Sequence, residues 1–356
     1  MYRVSLALLA VAAPACSQPA TDTPQAEAAR ADVARVETRG LDAATMASTV
    51  TAAERLPRLH SMVIARHGQT IAEHRFRGPS LDTAVNIKSA SKTILATLTG
   101  IAIERGVLTG ADQKIAPVLR ADLPANPDPR LADIDVGDLL SMRAGLDRTS
   151  GANYGAWVAS PNWVRYALAR PFVDEPGGRM LYSTGTSHLM SAVLTRASGR
   201  STHALANDWL AQPLGIRIPE WPRDAQGVYF GGNDMLMSPK GLLRFGEMIR
   251  QGGTIDGRRI VPADWIATSF QSRGSSPWSG NGYGYGWFTK TSSGHDVHFA
   301  WGYGGQMLFI VPDLALTVVM ISDPSPHSRA ESHLPELHAL LDRGIVPAAI
   351  AGAAGA

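Results

Sequence analysis

Asn86-Ile87-Lys88-Ser89-Ala90-Ser91-Lys92-Thr93-Ile94-Leu95-Ala96 sets a serine and a lysine three residues apart, Ser89 and Lys92. Apolar residues follow at Ile94, Leu95, Leu98, Ile101 and Ala102, which is helical spacing. Residues three apart share a face of a helix, so the Lys92 amine is expected beside the Ser89 hydroxyl. If Ser89 opens the helix, unpaired backbone N–H groups and the positive dipole end surround it and stabilise negative charge there. A serine hydroxyl is a weak nucleophile at neutral pH and needs a base within hydrogen-bond reach. A lysine becomes that base once burial or a neighbouring cation lowers its pKa. One Ser-x-x-Lys match specifies little by itself, since both residues are common. This chain has five lysines, and only Lys92 has a serine three positions before it.

The 356 residues, 45% hydrophobic and 18% charged, suffice for one large core or two lobes. A net charge of +2 without a basic run argues against a nucleic-acid partner. The single cysteine, Cys16, allows no intrachain disulfide. Residues 1–15 carry Arg3, an apolar stretch Val4–Ala13 and then Ala13-Pro14-Ala15, which reads as a signal peptide too short to span a bilayer. Small residues before a Cys resemble the bacterial lipobox, although Ala13 stands where Leu is usual there. That resemblance implies an exported, periplasmic protein whose one membrane link is a lipid on Cys16; the alternative is plain secretion after Ala15.

Residues 16–45, rich in Ala, Thr, Pro and acidic side chains, read as a tether. Leu59–Arg66 and Gln69–Phe76 around His67-Gly68 form a hairpin signal. The Ser89 helix should stop at Arg105-Gly106. From about 109 to 223, Pro-rich loops alternate with helical stretches at Val136–Arg143, Asn162–Ala169 and Ser187–Ser198. Ser238-Pro239 is a cap pair opening another helix, and Pro262 starts the next. Strand patterns return at Gly282–Lys290, Asp296–Ala300, Gln306–Val311 and Ala315–Ser322, before an amphipathic helix at Ala330–Arg343. Residues 346–356 are Ala- and Gly-rich and read as a structureless tail. Strands at both ends and helices between predict an α+β domain over 46–345. In it the early hairpin joins the late strands in one antiparallel sheet, and a helical lobe is inserted.

Two further stretches could complete a site with Ser89. Pro176-Gly177-Gly178-Arg179-Met180-Leu181-Tyr182-Ser183-Thr184 puts Tyr182 just before a helix. A phenolate beside an ammonium can act as base or proton shuttle. Phe299-Ala300-Trp301-Gly302-Tyr303-Gly304-Gly305-Gln306 has closely spaced glycines, which let backbone approach a ligand and offer an N–H to an oxyanion.

In this order the three stretches resemble the penicillin-recognising serine hydrolase superfamily, which holds serine β-lactamases, D-alanyl-D-alanine peptidases and related esterases. The resemblance spans roughly residues 45 to 345 and takes in Asp138-Leu139-Leu140-Ser141-Met142-Arg143-Ala144-Gly145-Leu146, Glu175-Pro176-Gly177 and Asn281-Gly282-Tyr283-Gly284-Tyr285-Gly286-Trp287. It implies a β-lactamase/transpeptidase-like fold. It also implies an acyl-enzyme formed on Ser89, with Lys92 and Tyr182 as base, and an oxyanion held by the N–H groups of Ser89 and Tyr303. Thr184, Trp301 and Gly302 would contact substrate, and no cofactor or metal is needed. Two departures stand out. Tyr182-Ser183-Thr184 has Thr where the superfamily's second motif has Asn. Trp301-Gly302-Tyr303 lacks the Lys or His that in β-lactamases helps hold the antibiotic carboxylate, and Trp cannot replace it. The pattern is closer to the branch of carboxylesterases and the aminohexanoate-dimer hydrolase, whose small-molecule substrates are esters or linear amides.

Other readings are a D-alanyl-D-alanine peptidase or β-lactamase, or a penicillin-binding sensor or scaffold that does not turn over. No Gly-x-Ser-x-Gly elbow or His-Glu-x-x-His motif is present. His295 and His298, or His327 and His333, could be drawn as metal ligands, but histidines scattered in loops are usually solvated. Trp157, Trp163, Trp278 and Trp301 are candidate walls of an acyl pocket, with core packing as the alternative. Replacing Ser89 with Ala should abolish hydrolysis of a p-nitrophenyl ester while leaving the fold intact. Lys92→Ala should lower turnover by a similar factor, because groups acting as a unit are not additive. Unchanged turnover in Ser89→Ala would remove this hydroxyl from the reaction.

Overall fold

The structure is a computed structural model, and it describes residues 40–325 and 333–354. The expected signal peptide, Cys16 and most of the tether lie outside the described residues, as does His327. The described residues belong to one compact unit. A helix α1, Ala43–Glu54, capped by the Asp42 carboxylate, begins within the stretch read as tether. The hairpin follows as β1 (Leu59–Arg66) and β2 (Gln69–Arg75). His67 and Gly68 both have positive φ, 50° and 84°, as a tight hairpin turn requires.

The central helix α2 runs from Ser91 to Glu104, and every residue from Ser91 to Ala102 is buried. It is therefore a core helix rather than a surface helix with one apolar stripe. Its threonines are tolerated there because their hydroxyls are satisfied. Thr93 donates to the Gly286 carbonyl at 2.6 Å, and Thr97 and Thr99 donate to carbonyls one turn back, each at 2.9 Å.

The middle of the chain is helical, with α3 (Val136–Leu140), α4 (Trp163–Leu168) and α5 (Thr184–Ser198), the last ended by Gly199 in the left-handed region. After it come α6 (Pro239–Arg250), capped by Ser238, and α7 (Ala263–Phe270). The remaining strands of the main sheet are β3 (Gly274–Ser275), β4 (Gly282–Tyr283), β5 (Phe288–Ser292), β6 (His295–Gly302), β7 (Gln306–Val311) and β8 (Leu316–Ser322), and two short ladders outside it pair Val85–Asn86 with Leu236–Met237 and Thr254–Ile255 with Arg258–Arg259. The expected strand Gly282–Lys290 is thus split, because Gly284–Trp287 leaves the sheet and Gly286 turns with φ of 74° against α2.

The eight strands form one sheet in the order β2-β1-β8-β7-β6-β5-β4-β3. Every pairing is antiparallel, and β1 meets β8 with Val63 opposite Val319. The N-terminal hairpin thereby joins the C-terminal strands, the arrangement expected from the sequence. Helix α6 packs on one face across β8, β1 and β7. A Cβ on Gly246 would lie 2.6 Å from Leu308, so glycine there permits the close approach.

Helix α8 spans His333–Leu340, and its His338 ring packs edge-on against Phe299 and Phe309. The stretch read as a structureless tail is instead α9, Val346–Ala354. Alanine is the best helix former, and its small side chain lets the helix seat closely. Val346, Ala348 and Ala349 are fully buried. Asp42 N–H donates to the Ala348 carbonyl and the Arg66 guanidinium to the Ala349 carbonyl, both at 2.9 Å. Deleting residues 346–356 should therefore lower unfolding free energy by about 2–4 kcal/mol. Thermal melting of the truncated chain checks this, and an unchanged midpoint would mean that α9 adds nothing.

Candidate active site

Ser89 lies in a 3₁₀ turn, Lys88–Ala90, immediately before α2, so it precedes the α-helix instead of opening it. The three-residue spacing still works, because the turn runs directly into α2. Lys92 Nζ lies 3.0 Å from Ser89 Oγ. The turn begins with Lys88 at φ of 50°, a conformation an L-residue adopts only when its surroundings hold it. Lys88 N–H donates to Asn86 Oδ1 at 2.8 Å. Asp234 Oδ1 accepts from both Lys88 Nζ, at 3.0 Å, and Asn86 Nδ2, at 2.8 Å.

The loop 231–235 clamps this turn. Met235 N–H donates to Ser91 Oγ at 3.1 Å, and its carbonyl accepts from Ile87 N–H at 3.0 Å. The Gly232 carbonyl accepts from Lys92 Nζ at 2.8 Å. Gly232 has φ of 71°, and a Cβ there would sit 2.6 Å from Lys92 Cγ, so no other residue fits beside the amine. From the sheet side, Gly302 at the end of β6 presses on the same turn. A Cβ on it would lie 2.2 Å from the Ile87 carbonyl oxygen. None of Asn86, Gly232 or Asp234 stands out in the sequence. Gly231-Gly232-Asn233-Asp234 is a turn signal, but spacing alone does not bring it to Lys92.

Burial pushes the Lys92 amine down to about 7, against an opposing pull from the Asp234 carboxylate. The side chain is 4% exposed. Enclosure pushes the Tyr182 phenol up to about 12, against a hydrogen bond with Ser89 that favours the phenolate. The Lys92 amine also lies over the Tyr182 ring, 4.8 Å from its centre. Near neutral pH the site thus holds a phenol and a readily deprotonated amine, rather than the phenolate and ammonium pair that sequence alone allowed.

Tyr182 is placed from the helical side. Leu181 N–H donates to the Met142 carbonyl at 2.7 Å, and Gly177 N–H to the Arg143 carbonyl at 2.8 Å. Arg143 Nε donates to the Gly178 carbonyl at 2.6 Å. Ser183 caps α5, and its hydroxyl also accepts from Thr149 N–H at 3.1 Å. The stretch Asp138–Leu146 therefore serves as the bracket for the Tyr182 loop.

Ser89, Tyr182, Trp278, Phe288, Trp301 and Tyr303 line one cavity of about 220 Å³, and its walls are mostly apolar. Phe288 stacks with Tyr182, while Trp278 meets the phenol ring edge-on. Of the expected substrate contacts, Trp301 is on the wall and Gly302 acts through close packing. Thr184 is not on the wall: it is buried, with its hydroxyl 3.1 Å from that of Ser150. Trp157 and Trp163 pack together around His188 and Phe230, away from the cavity. His295 pairs with Asp313, His298 stacks on Phe270, and His333 bonds to the Ser322 hydroxyl. Among the described residues no group of His, Cys, Asp and Glu is arranged to hold a metal ion.

The profile of the family described as beta-lactamase matches residues 33–341. No curated protein matches the chain. Among solved structures, EstCE1, described as a hydrolase with promiscuous acyltransferase activity, superposes with a TM-score of 0.68 at 20% identity, over 88% of this chain and 99% of that one. A family VIII carboxylesterase gives 0.66 at 18% identity, over 86% and 99%. A penicillin-binding protein homologue from Caulobacter crescentus gives 0.68 at 17% identity, over 88% and 99%. At these identities the structural likenesses establish the fold. The family match covers most of the chain and takes in both the Ser89 turn and the Tyr182 loop, so this protein belongs to the β-lactamase family of serine hydrolases.

Proposed function

We propose that the chain hydrolyses an ester or linear amide bond through an acyl-enzyme on Ser89. The observation that carries this reading is the 3.0 Å separation of Lys92 Nζ and Ser89 Oγ, with the amine buried. The free amine of Lys92 accepts the Ser89 proton as Oγ bonds to the substrate carbonyl carbon. Backbone N–H groups of Ser89 and Tyr303 hold the resulting oxyanion, each donor being worth about 3 kcal/mol. When the tetrahedral species collapses, the bond from carbon to the leaving group breaks. The leaving group takes the proton held on Lys92, relayed through the Tyr182 hydroxyl, which lines the same cavity as Ser89. Water then attacks the Ser89 ester, giving one proton to Lys92, and Lys92 returns that proton to Ser89 Oγ as the C–Oγ bond breaks and the acid leaves. Because the phenol stays protonated near neutral pH, Lys92 is the base and Tyr182 the relay.

The cavity supports an uncharged, apolar acyl group. Its walls are Trp278, Phe288, Trp301 and Tyr303, and Trp301 offers no charge to a substrate carboxylate. This favours esters over β-lactams.

Two measurements test the reading. On a p-nitrophenyl ester, kcat/KM should rise with pH through a limb near 7, falling about tenfold per unit below it as Lys92 is protonated. A profile flat from pH 5 to 9 would exclude Lys92 as base. In a panel of short-chain p-nitrophenyl esters, anilides and a chromogenic cephalosporin, the esters should turn over at least about a hundredfold faster than the cephalosporin. The reverse preference would point to a β-lactamase. Labelling by a fluorophosphonate without ester turnover would point to a non-cycling binder.

A further inference from the structure

We infer that the fully buried pair His188 and Asp224 is a positioning device for Lys92, acting through the loop that carries the Gly232 carbonyl. The inference rests on Lys92 being the base. His188, on α5, is fully buried, and Asp224 is 6% exposed. Asp224 Oδ1 accepts from the N–H groups of Gln226 and Val228, at 3.0 and 2.8 Å. Its Oδ2 lies 3.0 Å from His188 Nε2. On the other side of the ring, His188 Nδ1 accepts from Gly231 N–H at 3.2 Å. The ring can accept at Nδ1 only if it carries its proton on Nε2, which donates to Asp224. A proton on Nδ1 would set donor against donor and push Gly231 away.

Gly231 is one peptide bond from Gly232, whose carbonyl receives Lys92 Nζ at 2.8 Å. The bonded path is therefore Asp224, His188, the Gly231 N–H, the Gly232 carbonyl, Lys92 and Ser89. The loop has little slack. A Cβ on Gly231 would lie 2.3 Å from the Ser187 carbonyl, and one on Gly232 would lie 2.6 Å from both Ser187 Cβ and Lys92 Cγ. The ring is held on its flanks by Trp157, Trp163 and Phe230, with centroids 5.8, 5.4 and 6.0 Å away. Asp224 is the one carboxylate its ring meets among the described residues. Facing Lys92 are the Ser89 hydroxyl, the Gly232 carbonyl and the Tyr182 ring, with Asp234 acting at longer range. A buried His and Asp pair stabilises a fold no better than a well-packed apolar pair. What it supplies here is a fixed position for a backbone loop.

His188→Phe keeps a ring among the aromatic neighbours and removes both hydrogen bonds. With Gly231 released, the Gly232 carbonyl loosens and water reaches Lys92. The limb in kcat/KM should then move up by about one pH unit, and kcat should fall at least about tenfold with little change in KM. His188→Gln, which can still accept and donate, should recover part of kcat. If His188→Phe melts like the parent protein and keeps both its limb and its kcat, the inference is overturned. Loss of activity in Lys92→Ala together with an unchanged His188→Phe would reject this inference alone, whereas an active Lys92→Ala would reject the underlying mechanism. Should His188→Phe fail to fold, the unaltered protein still decides. Nitrogen-15 NMR at pH 8 should show His188 protonated on Nε2 and accepting at Nδ1, and a proton on Nδ1 overturns the inference.

Discussion

The site depends on one amine kept out of water. Lys92 Nζ has two close partners, Ser89 Oγ and the Gly232 carbonyl, and burial holds it far below the ordinary lysine range. That placement costs stability. Between about pH 7 and 10.5 the folded chain binds this proton less readily than the unfolded chain, so stability rises with pH across that window. The cost is complete below about pH 7 and gone above the unfolded value. Strain at Lys88, with its positive φ, adds to it. A turn held against both costs needs support from several elements, and the surrounding structure supplies it.

That support comes from three directions. The loop 231–235 bonds to Ile87, Lys88, Ser91 and Lys92, and so touches the Ser89 turn on both sides of the serine. The sheet contributes Gly302, whose lack of a side chain lets β6 rest on the Ile87 carbonyl. The helical part contributes the Tyr182 loop, bracketed by Met142, Arg143 and Thr149. Each contact is an ordinary hydrogen bond or close packing worth about 1 kcal/mol, but together they leave the turn one conformation.

The same geometry separates chemistry from selectivity. Lys92 hydrogen bonds to Ser89 and lies over the Tyr182 ring, while the rest of the cavity wall is aromatic. Such a wall rewards removal of apolar surface from water, and none of its own side chains carries a cation for a carboxylate. Trp278 is 57% exposed at the mouth, with the Arg148 guanidinium over its ring at 5.4 Å. This outer part of the wall can vary without disturbing the buried Lys92 amine.

The fold and the Ser89–Lys92 pair could be read in the sequence because both depend on local periodicity. The apolar runs in Leu59–Arg66 and Gln306–Val311, the His67-Gly68 turn and the apolar spacing after Lys92 each act within about ten residues. The same spacing put the amine beside the hydroxyl, although the helix starts two residues later than expected. Composition misled at residues 346–356, where Ala and Gly looked like a tail. Small residues also suit a helix that must lie close to its neighbours, and only the presence of those neighbours distinguishes the two. Spacing could not assign Gly232, Asp234, Trp278 or Phe288 to the site, nor remove Thr184 from its wall. The first four meet the Ser89 turn through contacts spanning more than a hundred residues, and Thr184 turns away through its contact with Ser150, 34 residues earlier. By itself the sequence determined which groups are chemically able to react. Tertiary structure decided their protonation and the shape of the space before them, because both depend on how completely water is excluded by parts of the chain that are distant in sequence.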